Sequence, residues 1–399
     1  MSEVETIARI AAKGDGVTQS GRHVQGAVPG DTVDADGRVE PGPHRAEPPC
    51  PHFGRCGGCQ LQYADEATLS DFVTSRVLNA AHGQRLEPQL LLATHLSPPH
   101  TRRRGTLHAI RTQKGALIGF RESGSHRIVD LTQCDVLSPE LAAQIPSLRE
   151  FIAQNASKGT VDVGLALCDQ GVDLTISNLA SEGLEETELA LDYARTQNLA
   201  RLSVDHGYGP ETVWEPEPVT ITLSGNRVPM PVGAFLQATA DAEARMVADA
   251  FSFLDGAGPV VDLFAGLGTF ALALAEQRKV LGVEADRAAY LALKATSGRS
   301  KSMVHAMHRD LFRNPLQPTE LNRFDAAVLD PPRAGARTQV AEIAASDLAR
   351  VVYVSCNPSS WSRDAATLTQ AGFALEALRP VGQFRWSTHV ELISLFTRQ

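Results

Sequence analysis

The sequence predicts an α/β protein with a doubly wound, mostly parallel, Rossmann-like sheet in its C-terminal part, an antiparallel β-rich central region and a short N-terminal β-module. Three observations predict it. From Pro259 onward the apolar runs PVVDLF, KVLGVEAD, FDAAVLDPP and RVVYVSCNP alternate with Ala-rich helical stretches, the rhythm of parallel strands joined by helices. In the middle of the chain, strand-like runs are joined by tight polar turns: Leu107 to Thr112 turns at QKG into Ala116 to Arg121, and TVDVGLAL turns at CDQG into VDLTIS. At the N-terminus, VETIARIAAKGDGV and GRHVQGAVPGDTV are short strands broken by Gly and Pro.

In chain order, residues 1–42 form the β-module, 43–232 a cysteine-bearing segment with the central β-rich region, and 233–399 the α/β domain. A chain of 399 residues has room for this many units, because one core rarely grows past roughly 250 to 300 residues. The Pro-rich stretch GPHRAEP ahead of Cys50 reads as a linker, and the segment from Glu215 to Pro231 as a lead-in to the last domain.

Composition narrows the class. With 43% hydrophobic and 21% charged residues the chain is an ordinary globular protein rather than a disordered or fibrous one. The acidic start MSEVETIARIAAKGDG does not fit a secretory signal, and no apolar run of about 18 residues follows, so a cytoplasmic protein without a membrane partner is expected. A net charge of −9 argues against nonspecific wrapping of nucleic acid. It leaves room for a local basic face, and Arg102, Arg103, Arg104, Arg111, Lys114, Arg121 and Arg127 stand together with Glu122 as their single acid.

Several motifs carry chemistry. Asp262-Leu-Phe-Ala-Gly-Leu-Gly-Thr269 follows a strand and opens a helix, so its glycines let backbone approach a ligand and its free N–H groups can face it. About 20 residues on, Glu284 ends the next strand, where a carboxylate can accept both hydroxyls of a ribose. The turn lacks the spacing of a dinucleotide fingerprint and no GKS or GKT follows it, which favours an adenosine cofactor without pyrophosphate; S-adenosylmethionine fits. Asp330-Pro331-Pro332-Arg333 and Ser355-Cys356-Asn357-Pro358 end the next two strands, on the rim where open α/β sheets hold ligands. Cys356 is placed as a nucleophile there, and Glu391, an acid breaking into the apolar run HVELISLF, as a general base.

Six cysteines in 399 residues are too sparse for a disulfide scaffold. Cys50, Cys56 and Cys59 are spaced Cx5CxxC, and Cys134 follows some way on. Four thiolates hold a zinc ion or an iron–sulfur cluster, a choice that spacing leaves open, with His52 and Cys168 as spare ligands.

Taken in order, CPHFGRCGGCQLQ with Cys134, FLQAT, DLFAGLGTF, DPPRAG, SCNPSSW and HVEL resemble the bacterial 5-methyluridine RNA methyltransferases, above all the iron–sulfur branch acting on 23S ribosomal RNA. The resemblance runs nearly end to end. It implies a class I S-adenosylmethionine methyltransferase domain at 233–399, a central RNA-binding domain in 43–232, and an N-terminal TRAM-like (OB-type) RNA-binding module at 1–42 that lacks strands. It further implies cofactor contacts from Gln237, Phe264, Thr269, Glu284, Asp310 and Asp330, and a 4Fe-4S cluster on Cys50, Cys56, Cys59 and Cys134. In such enzymes the cysteine adds to uracil C6 to make C5 nucleophilic, and the glutamate removes the C5 proton after methylation. That assigns Cys356 as nucleophile and Glu391 as base on an RNA substrate. Separately, a monomer with no DNA partner is expected.

The chain departs from the family pattern at Thr239 (commonly Asn), Ala265 (Cys) and Thr269 (Asn), and QFRWST lacks the usual Pro and His ahead of HVE. Alternatives are the same chemistry on the T-loop uridine of transfer RNA, an amino-group methyltransferase in which Cys356 and Glu391 would be idle, and a noncatalytic iron–sulfur RNA-binding or assembly factor.

Overall fold

The computed structural model describes residues 4–156, 159–179, 183–299 and 303–398. Its largest sheet holds the strands Val260–Leu263 (β1), Val280–Glu284 (β2), Val304–His308 (β3), Ala326–Leu329 (β4), Arg350–Ser355 (β5), Ala374–Gly382 (β6) and Glu391–Thr397 (β7). They lie in the order β3-β2-β1-β4-β5-β7-β6. β1 to β5 run parallel, while β7 is antiparallel to both neighbours. This is the doubly wound sheet the apolar runs predicted. Every residue of β1 and β4 is buried, as expected for strands covered on both faces by helices.

Upstream chain completes this layer. The short strands Leu90–Leu91 and His95–Leu96 pair in parallel with β6. Ahead of them runs a helix, Glu66–His82, capped by the Asp65 carboxylate on the Thr68 N–H. Its apolar stripe of Leu69, Phe72, Val73 and Val77 packs with Trp361, Leu375 and Phe396 of the C-terminal α/β layer. The segment from Glu215 to Pro231 is no simple lead-in: Thr220–Leu223 and Asn226–Pro229 form a hairpin whose Ile221, Leu223 and Val228 pack on Leu293 of the helix Arg287–Arg299.

The central region is a six-stranded sheet in the order Pro210–Trp214, Arg201–Asp205, Gly171–Ser177, Thr160–Cys168, Arg104–Thr112, Gly115–Gly119. Both hairpins read from sequence are present. One neighbouring pair, Gly171–Ser177 with Arg201–Asp205, is parallel and is joined through the helix Leu184–Thr196, because parallel neighbours need a long crossover. The N-terminal module contains five strands between Glu5 and Glu40 rather than a depleted set. His23–Val24 and Val39–Glu40 are its outer strands, and the sheet stays open as a half-barrel around Ile7, Val24, Ala27 and Val33.

Candidate active site

The carboxyl ends of β1, β2, β4 and β5 meet at one rim. Beyond β1 the chain turns through Phe264, Gly266 and Gly268, all with positive φ (65°, 54° and 97°), and enters the helix at Thr269. Gly268 is required twice over, since its backbone is left-handed and an added Cβ would lie 2.5 Å from Leu293. Glu284, at the end of β2, holds this turn from beneath by accepting from the Gly266 N–H at 2.7 Å and the Asp286 N–H at 2.6 Å. Asp310 accepts from the Phe312 N–H at 2.9 Å, and Phe312 packs 5.4 Å from Phe264, so the two rings flank the turn.

Asp330 follows β4 and accepts from Gln237 Nε2 at 3.1 Å. Burial pushes its carboxyl up to about 7 against that hydrogen bond, with Glu243 adding to the rise. Beneath it Asp262 is buried with neither carboxyl oxygen hydrogen-bonded, and burial, Asp330 and Glu284 hold its carboxyl well above the ordinary range. An uncompensated buried carboxylate is costly, and a cation in the turn would relieve both acids. A sulfonium with an ammonium group on a nucleoside, as in S-adenosylmethionine, suits this set of donors and acids.

Cys356 follows β5 directly and is half-buried. Its thiol is raised by burial, then by Glu391 and Asp330, and is lowered by Arg333. Arg333 is therefore the cationic neighbour that sequence did not identify. Glu391 opens β7 opposite Val381 and is 4% exposed. Burial, reinforced by Asp330, pushes its carboxyl up to about 8; Gln383 and Arg104 pull the other way, and Oε2 has no hydrogen-bond partner. Cys356, Glu391, Arg333 and His389 line one cleft of about 1120 Å3 with Arg102, Arg104, Phe120, Phe235 and Phe384. Phe235 is 61% exposed there, and the Arg104 guanidinium lies 4.5 Å from its ring centroid. The far wall comes from the central sheet through Asp162, Thr175 and Asp205.

The basic stretch splits in two. Arg103 is buried in an ion pair with Glu243 at 2.6 Å, and Arg104, at the cleft wall, donates to the Leu236 carbonyl, so both brace the FLQAT segment. Arg111, Lys114, Arg121 and Arg127 are exposed.

Cys50, Cys56, Cys59 and Cys134 come near enough that Cys59 is raised by the other three, reaching about 12 chiefly through burial. Among the described residues no three His, Cys, Asp or Glu side chains converge on a single metal ion. Arg102 sits against Cys134 and Cys59 on one side and, on the other, has its guanidinium 5.5 Å from the Phe384 ring centroid. The Gln60 and Leu61 N–H groups, just past Cys59, donate to the Trp386 carbonyl at 2.7 and 2.9 Å, tying this loop to the approach to Glu391.

Comparison with known proteins decides the family. Residues 226–399 match the model described as tRNA (Uracil-5-)-methyltransferase. Over 99% of this chain and the full length of the relative, it is 45% identical to an uncharacterized RNA methyltransferase of Zymomonas mobilis. It is also 32% identical, over 90% of its length and 81% of the relative's, to the 23S rRNA (uracil(1939)-C(5))-methyltransferase RlmD of Pectobacterium atrosepticum. The chain belongs to the RNA uracil-C5 methyltransferase family. It is an enzyme of that family, and RNA is its substrate class. The fold agrees: the Pyrococcus abyssi tRNA (uracil-54, C5)-methyltransferase, solved with S-adenosyl-L-homocysteine, superimposes with a TM-score of 0.76 at 19% identity, covering 99% of this chain and all of that one. Among the described residues no helix is long and apolar enough to cross a membrane.

The structure brings Cys356, Glu391, Asp330 and Gln237 together at one end of the sheet and leaves Glu284 and Asp310 at the neighbouring turn. Asp262, Arg333, Phe235 and Gln383 were missed as site residues. Asp262, Arg333 and Phe235 stand inside motifs already singled out, and an acid within the buried run VVDL was a readable signal for the first.

Proposed function

We propose that the enzyme uses S-adenosylmethionine to methylate C5 of a uridine in 23S ribosomal RNA, with Cys356 adding to C6 and Glu391 taking the C5 proton. The observation carrying this reading is the shared cleft of Cys356 and Glu391, in which Glu391 keeps a buried oxygen without a partner. Uracil C5 does not attack a methyl group unaided. When the Cys356 sulfur bonds to C6, the C5=C6 electron pair shifts toward C5 and O4, and C5 becomes nucleophilic. S-adenosylmethionine supplies the electrophilic methyl group. Glu391 then accepts the C5 proton, the pair re-forms C5=C6, and the C6–S bond breaks to release Cys356.

The surroundings fit these roles. Arg333 opposes part of the rise that burial, Glu391 and Asp330 impose on the Cys356 thiol. Phe235, backed by Arg104, offers a face on which a flipped uracil can stack. Phe264, Thr269, Glu284 and Asp310 take the adenosine end of the cofactor, while Gln237 and Asp330 face its charged end. Burial is the main cause that raises the Glu391 carboxyl, and a cation beside Asp330 offsets the second, Asp330 itself, which eases ionisation of the base when the cofactor is in place.

We assign a 4Fe-4S cluster to Cys50, Cys56, Cys59 and Cys134. The four thiols lie near enough to raise one another, and four cysteine thiolates are the ligand set such a cluster takes. Ribosomal RNA is favoured by the likeness to RlmD across most of both chains; transfer RNA is the second reading, favoured by the full-length likeness in fold to the archaeal enzyme. Methyl transfer into 23S and transfer RNA transcripts, with the product mapped by nuclease digestion and mass spectrometry, separates them. The proposal expects 5-methyluridine in the 23S transcript; label confined to the T-loop of transfer RNA overturns the ribosomal assignment.

A further inference from the structure

We infer that Gln383 is a positioning residue for this reaction: it sets the orientation of the Gln237 amide, so that Gln237 presents an N–H, not a carbonyl, to Asp330. The inference rests on the proposed use of Asp330 at the cofactor.

Hydrogen-bond polarity carries the argument from one backbone group. The Ala238 N–H can only donate, and it donates to Gln383 at 2.7 Å, with the Thr239 N–H at 3.4 Å on the same atom. That atom must be the carboxamide oxygen. The nitrogen of Gln383 is then the atom 2.9 Å from Gln237, so the facing atom of Gln237 is its oxygen. Gln237 is left with its NH2 toward Asp330, at 3.1 Å, and the Asp330 oxygen accepts. A chain of donors therefore runs from the backbone of residues 238 and 239 through two side chains to Asp330. Gln383 and Gln237 are buried, at 2% and 3% exposed, so water does not substitute for the link between them, while Asp330 at the end of the chain is only partly buried.

The geometry has a functional consequence. An N–H on Asp330 favours its charged form, which a cationic ligand needs and which burial opposes. Were Gln237 reversed, its carbonyl would face the carboxylate. Gln383 also lies beside Glu391 and opposes the rise of its carboxyl, so one amide adjoins both the cofactor side and the base. Asp262, Glu243, Cys356 and Glu391 interact electrostatically with Asp330, Arg103 adjoins through its pair with Glu243 and its donation to the Gln237 backbone carbonyl, and among the described residues the Gln237 amide is the side-chain donor to the carboxylate.

The test uses the full-length enzyme with its cluster and the variant Gln383→Met, which keeps the volume and removes both hydrogen-bonding atoms. Glutamine side-chain amides labelled with 15N are observed, the Gln237 signal being assigned by its loss in Gln237→Glu. The expected result is a Gln237 amide that is shifted and slow to exchange in the wild type, and that loses both properties in Gln383→Met. The acid limb of the methylation rate is expected to move to higher pH in the variant, by about one unit, with the melting profile still cooperative. A variant that simply folds less well lowers the rate equally at every pH and leaves the limb in place, which overturns the inference. So does an unchanged Gln237 signal. Failure of the methylation reading itself would show separately, as wild-type enzyme inactive on every RNA while the Gln237 signal still responds to Gln383→Met.

Discussion

Replacing Glu391 by Gln is expected to stabilise the ligand-free enzyme at alkaline pH while abolishing turnover. The Glu391 carboxyl is raised from 4.5 to about 8 by burial and by Asp330. A group raised in this way contributes stability that is fully present below its unfolded pKa and is lost as pH rises through the folded value, so the loss spans the window from about 4.5 to about 8. Each unit in that window costs about 1.4 kcal/mol, which brings the full loss to roughly 4 to 5 kcal/mol above pH 8 as an upper bound, and to under about 1 kcal/mol at pH 5. Glutamine never ionises, so it escapes this loss. It also brings an NH2 where Oε2 has no partner, at a cost of about 1 to 3 kcal/mol that does not vary with pH. The melting temperature of Glu391→Gln relative to wild type should therefore climb between pH 5 and pH 8.5 by the equivalent of about 3 kcal/mol, roughly 6 to 12 °C for a domain of this size. Scanning calorimetry of both proteins at the two pH values reads this directly. A difference in melting temperature that stays constant with pH would show that Glu391 is not held neutral by its surroundings.

Three further outcomes follow from neighbouring contacts. Arg333→Ala removes the cation that lowers the Cys356 thiol, so alkylation of Cys356 by iodoacetamide near neutral pH should slow by about 3- to 10-fold, as followed by mass spectrometry; an unchanged rate would discard Arg333 as the activating group. Phe235→Ala should weaken RNA binding by about 5- to 150-fold without altering S-adenosylhomocysteine binding, whereas equal loss of both in calorimetry would mark a collapsed site. Cys59→Ser removes a ligand of the proposed cluster beside the loop that holds the Trp386 carbonyl, so amide hydrogen exchange over residues 384–389 should quicken; unaltered exchange there would separate the cluster from the catalytic loop.

Much of this architecture was legible in the chain. Runs such as PVVDLF and RVVYVS are buried on both faces and so read as strands without alternation, and the residues that end them, Asp330 and Cys356, fall on the ligand-binding rim by topology alone. The helix Glu66–His82 was overlooked although Asp65 and the spacing of Leu69, Phe72, Val73 and Val77 announce it, because its polar face dilutes the apolar signal. What sequence could not carry was pairing across distance. Gln383 and Gln237 are 146 positions apart and meet through one hydrogen bond, and neither run has a periodicity that marks it. Within the basic stretch, charge alone does not reveal that the Arg103 and Arg104 guanidiniums donate to the Gln237 and Leu236 carbonyls, while Arg111, Lys114, Arg121 and Arg127 stay exposed.

The covalent role of Cys356 is the claim on which the rest depends. Incubation of the full-length enzyme with 5-fluorouridine-substituted RNA and S-adenosylmethionine tests it, because fluorine cannot leave C5 as a proton does and the C6–S bond then persists. If Cys356 is the nucleophile, a denaturation-resistant adduct forms, mass spectrometry maps it to the peptide holding Cys356, and Cys356→Ala abolishes it. An adduct on another residue, or none from enzyme that still transfers methyl groups to unsubstituted RNA, would contradict the mechanism.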